Sequence, residues 1–131
     1  MAKNNHSIGN AGEFYLLAQL AQRGYIAGKA DDGQTLIDVI ATDPETLKTV
    51  NIQVKSTAQF TGYWMTGNKA RKSFESLWYV FVSLKSPTEI PEFFVFHSAA
   101  VGAITALNRM MALGADQKGF RGHSNHQYRR F

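Results

Sequence analysis

Residues 36 to 57 read "LIDVIATDPETLKTVNIQVKST", and the way this stretch folds decides the rest. Aliphatic and β-branched residues fill both ends, and Asp43-Pro44 favours a turn between them. The reading is two strands, about 36–42 and 50–56, paired as an antiparallel hairpin. A hairpin centred between Glu45 and Thr46 sets Asp38 opposite Gln53, and Lys55 falls on the same face because side chains alternate. The other face collects Ile37, Val39 and Ala41 with Val50, Ile52 and Val54. A slip of one residue would drive Asp38 among those aliphatic side chains, so the register is strongly specified.

Two readings of the polar face stay open. In an ordinary hairpin it meets water, and Asp38 with Lys55 is a cross-strand ion pair worth about 0.2–1 kcal/mol. Leu36 and Ile40 lie on the same face, however, which argues for partial cover. Charges under cover need partners or a task. Glu13 bears on this choice. A helix is predicted over 7–23, with Leu16, Leu17, Leu20 and Ala21 at helical spacing and Gly24 just past its end. Glu13 shares that stripe and is directed at the sheet, unless Asn10-x-x-Glu13 is a capping box serving its own helix start.

Outward from the hairpin, "YIAGKA" (25–30), "WYVFVSLK" (78–85) and "EFFVFHS" (92–98) read as strands. A second helix is predicted over 99–113, with Ser98 as its N-cap and a stripe of Val101, Ile104, Leu107 and Met111. Segment 57–77 is irregular, with a short helix over Lys69–Leu77. The order of helix, strands and helix gives a mixed α/β (α+β) fold, with a central mixed sheet of about five strands.

The 131 residues, 44% hydrophobic and 18% charged, suit one globular domain over 1–131. Absence of cysteine excludes disulfides and thiolate metal sites. "MAKNNHSIGN" lacks an apolar signal core and no run reaches a membrane span, so a cytoplasmic protein without membrane contact is expected. The net charge of +4 is uneven. Residues 1–60 carry 5 Lys and Arg against 6 Asp and Glu, whereas 61–131 carry 9 against 4. That basic half suits a polyanion, and Lys69, Arg71, Lys72, Arg121, Arg129 and Arg130 are candidate phosphate contacts. Tyr63 and Trp64 could stack bases or simply cap the sheet, and the chain end could be a binding arm or a disordered tail. His123 and His126 have metal-pair spacing without further ligands nearby, and His97 reads as structural.

Taken together, "GNAGEF", "RGY", "LIDVIA" and "NIQVKS" resemble the PD-(D/E)XK nuclease superfamily: a helix with a Glu, a strand with an Asp, then acid-x-Lys. The chain is similar, more narrowly, to small bacterial proteins of that superfamily sharing "IQVKS", "YVFV", "PEFF" and a terminal "GH…R-F", seen here in "RGHSNHQYRRF". The resemblance implies a restriction-endonuclease-like domain and Mg²⁺- or Mn²⁺-dependent phosphodiester hydrolysis in DNA, with RNA left open. It implies Asp38 as the main metal ligand, Glu13 as a ligand to the ion or its waters, and Lys55 as the residue orienting or deprotonating water. The second metal position, usually acidic, is Gln53, whose amide can coordinate but carries no charge. A catalytically inactive module of the same fold, binding nucleic acid or a protein, is the alternative. Any sequence specificity would call for a partner or a homodimer.

Overall fold

The structure is a computed structural model that describes residues 4–30, 36–58, 63–65, 72–111, 119–121 and 129–130. Helix α1 (Asn5–Gln22) starts where the Asn4 side chain accepts the Ser7 N–H at 2.7 Å, so Asn10 lies inside the helix and the capping box is not formed. The helix ends in a Schellman motif: Gly24, at φ 86°, donates to the Ala21 carbonyl and Tyr25 to that of Leu20. Its buried line is Gly12, Leu16 and Leu20; Leu17 is only partly buried and Ala21 is exposed.

Strands β1 (Ile26–Lys29), β2 (Val39–Thr42) and β3 (Thr49–Thr57) form an antiparallel meander. Val39 pairs with Ile52 and Ala41 with Val50, which is the register expected from the hairpin. The turn is held by Asp43, whose carboxylate accepts the Glu45 N–H at 2.9 Å. β2 is shorter than expected, for a specific reason. Asp38 still donates its N–H to Ile52, but its carboxylate takes the Val54 N–H that a continuing strand would bond through a backbone carbonyl.

After β4 (Tyr63–Met65), strand β5 (Leu77–Ser83) runs parallel to β3, and β6 (Glu92–His97) is antiparallel to β5. Helix α2 (Ser98–Met111) follows, then β7 (Gly119–Arg121) and β8 (Arg129–Arg130). The main sheet has the order β1-β2-β3-β5-β6-β8, the expected strands with the two-residue β8 added at one edge, and β4 pairs with β7 separately. Neither β7 nor β8 was expected from the sequence, and Arg129 and Arg130 stand in β8 rather than in a free tail.

The helix expected to end at Leu77 does not form over its described part. Phe74 instead exchanges two hydrogen bonds with the Ser98 hydroxyl, at 2.8 and 2.9 Å, and the Ser76 carbonyl takes the Asn51 N–H. These long-range partners replace the helical ladder. Ser98 is therefore no N-cap; His97 Nδ1 accepts the Ala99 N–H at 3.2 Å in that role, while Nε2 bonds the Glu75 carbonyl at 2.9 Å. His97 is structural, as read.

Two apolar layers flank the sheet. Leu16 and Leu20 of α1 close on Val39, Ala41, Ile52, Val54, Val80 and Val82. On the other side Tyr79, Phe81, Phe94 and Phe96 pack with Val101 of α2, and Leu36 lies against them. No helix among the described residues is long and apolar enough to cross a membrane.

Candidate active site

The end of β2 gathers the charged residues, and Asp38 stands at their centre. Burial pushes its carboxyl above the usual carboxylate range, because the charged form loses water. The Val54 N–H opposes that rise, the nearby Glu13 charge adds to it, and the charges of Lys55 and Lys29 reduce it. Burial wins. Glu13, Lys29 and Lys55 are thus close enough for Asp38 to feel each of them.

Glu13 reaches this place because Gly12 lets α1 lie close on β3. A Cβ at position 12 would collide with Ser56 Oγ and stand 2.9 Å from Ser56 Cβ. The Glu13 carboxylate is paired with Lys29 Nζ at 3.0 Å, with side chains only 14% and 26% exposed. Lys29 also lies 4.8 Å from the centre of the Phe14 ring. Lys29 was not identified from the sequence. The signal was available in two pieces: an acid directed at the core demands a cation, and the register places Lys29 opposite Val39, next to Asp38.

Val54 belongs to the α1 layer, so alternation along β3 turns Gln53 and Lys55 to the opposite side. Gln53 is buried, and its Oε1 has no hydrogen-bond partner. The structure therefore brings Asp38, Gln53 and Lys55 to one end of the hairpin. Glu13 approaches from the α1 side, already engaged with Lys29, and acts on Asp38 through its charge. Among the described residues no three His, Cys, Asp or Glu side chains gather into a group that could hold a metal ion.

A cavity of about 270 Å³ lies beside the start of β3, lined by Leu36, Ile37, Asn51, Phe74, Ser76 and Leu77. Its polar side chains, Asn51 and Ser76, bond to each other at 3.2 Å, and no lining residue is charged.

Of the candidate phosphate contacts, Lys72 is exposed, while Arg121 is in β7 and Arg129 and Arg130 are in β8. Tyr63 and Trp64 are in β4; Lys69, Arg71, His123 and His126 lie outside the described residues.

No protein-family model and no curated protein matches the chain. Among solved structures it is similar to I-Ssp6803I, a bacterial homing endonuclease, with a TM-score of 0.54 over 77% of this chain and 74% of that one. The fold is restriction-endonuclease-like, that of the PD-(D/E)XK nucleases. At 14% identity the likeness is one of fold. Gln53 and Lys55 lie in β3, Asp38 immediately precedes β2, and Glu13 lies in α1.

Proposed function

We propose that the protein is a metal-dependent nuclease hydrolysing DNA phosphodiesters, with Asp38, Gln53, Lys55 and Glu13 at its site. One observation carries this reading: a desolvated carboxylate and, on the next strand, a buried amide oxygen that accepts no hydrogen bond. An unsatisfied buried acceptor costs about 1–3 kcal/mol, which a ligand can recover. Mg²⁺ and Mn²⁺ take hard oxygen donors, so Asp38 and Gln53 fit such an ion. Glu13, held by Lys29, would contact the ion's waters. When bound, the ion supplies charge neutralisation at the phosphate and a more acidic water. Lys55 orients that water or stabilises the negative charge that develops in the transition state.

DNA as the substrate is supported by the fold neighbour, itself a homing endonuclease, and by the basic half of the chain. Phosphate contacts from Lys69, Arg71, Lys72, Arg121, Arg129 and Arg130 would supply salt-sensitive affinity. The neutral Gln53 favours a second reading, a module of this fold that holds nucleic acid without cutting it.

Plasmid, branched and single-stranded DNA, with Mg²⁺ or Mn²⁺, test both readings. The wild type should cut; Lys55→Ala should lose roughly 100-fold or more in rate while keeping salt-dependent binding. Wild-type binding without cleavage would favour the holding module, and neither binding nor cleavage would end both.

A further inference from the structure

The nuclease reading leaves one buried polar group beside Asp38 unused, the phenol of Tyr79. The parallel register of β3 and β5 pairs Gln53 with Tyr79, so the two side chains stand next to each other on one face. Tyr79 is fully buried, and neither its hydroxyl nor Gln53 Oε1 has a hydrogen-bond partner. Packing alone does not call for the hydroxyl. The ring stacks on Phe81 with centroids 6.0 Å apart, and phenylalanine would stack equally well without burying an oxygen. The Asp38 charge is also felt at the phenol, whose pKa is raised by burial first and by Asp38 second. Two buried polar groups without partners thus stand at paired positions of β3 and β5, and the phenol is near enough to feel the Asp38 charge.

We infer that Tyr79 is a positioning residue of this site, its hydroxyl oxygen accepting a hydrogen bond from a water carried by the divalent cation that Asp38 and Gln53 hold. The inference rests on the metal reading above. Mg²⁺ and Mn²⁺ keep several of their waters, and those waters are strong donors because the ion polarises them. A fixed acceptor in the wall holds one such water, and with it the ion, in a set orientation. This contact matters more here than in a site with two carboxylates, because Gln53 brings no charge of its own. Outer contacts of this kind typically contribute 10–100-fold in metal affinity.

The test is calorimetric titration of the full chain with Mn²⁺, for wild type, Tyr79→Phe and Asp38→Asn, with metal-free thermal unfolding of each. Asp38→Asn should lose binding. Tyr79→Phe should bind about tenfold more weakly, with a metal-free Tm equal to or above that of the wild type, since the change deletes only an unsatisfied oxygen. Wild-type affinity in Tyr79→Phe, with binding lost in Asp38→Asn, would overturn this inference and leave the metal reading standing. A metal-free Tm clearly below the wild type would also overturn it, making the hydroxyl a structural group. A wild type that binds no Mn²⁺, or an Asp38→Asn variant that binds like it, would overturn the metal reading and this inference together.

Discussion

On the α1 side of the sheet, Val39, Ala41, Ile52, Val54, Val80 and Val82 close on Leu16 and Leu20; on the α2 side, Phe81, Phe94 and Phe96 share the surface with Tyr79, and Gln53 stands in register beside it. Both surfaces come from the same strands, residue by residue. Burying one large aliphatic side chain contributes about 1.5–3 kcal/mol, and an orphaned buried polar group costs about as much. The period of two therefore lets β3 place aliphatic residues on one side and the polar Gln53 and Lys55 on the other. The aliphatic layer offsets what the polar side loses.

The largest effect should come from the aliphatic side. Leu16→Ala truncates a fully buried side chain and should lower unfolding free energy by about 2–5 kcal/mol in urea titrations. A loss below about 1 kcal/mol would mean that α1 is not the anchor of the fold. Gly12→Ala probes the seam between the two sides. The added Cβ meets Ser56, so α1 must shift away from β3, at about 1–3 kcal/mol. Nuclease activity, if present, should fall with it, because the same shift displaces Glu13; full stability in this variant would contradict the close approach.

The smallest effect belongs to Asp38→Asn without metal. The Asp38 carboxyl titrates above its ordinary value of 3.8, so between that value and its folded one the native protein holds more protons than the unfolded chain. Stability from this group therefore falls as pH rises through that window. The Asn variant, which can still accept the Val54 N–H, should show a flatter profile and be at least as stable as wild type at neutral pH. A variant that is less stable there would show that hydrogen bonding and nearby cations outweigh burial at Asp38.

The hairpin register was legible because one face of each strand is continuously aliphatic, which makes any slip expensive. The end of α1 was legible because Gly24 supplies the left-handed residue its Schellman motif requires. Other features depend on partners distant in sequence. Lys29 is identified only once β1 is placed beside β2 and Glu13 needs a counter-charge. The predicted helix before β5 loses to bonds offered by Ser98, His97 and Asn51, none of which local propensity can weigh. Strands β7 and β8, of three and two residues, are too short to show a period. Tyr79 sits within an aromatic strand, and nothing local distinguishes its hydroxyl from core.

The Asp38 carboxylate stands in for a strand carbonyl at the Val54 N–H, 2.8 Å away. One backbone amide is thereby tied to the partly buried carboxylate at the centre of the candidate site. The ¹⁵N and ¹H resonances of Val54 become an internal gauge, moving when Asp38 takes up a proton and moving again when a cation draws on the same oxygens. In ¹⁵N-labelled protein any occupancy of the site could be followed at that single peak, with no nucleic acid and no turnover required.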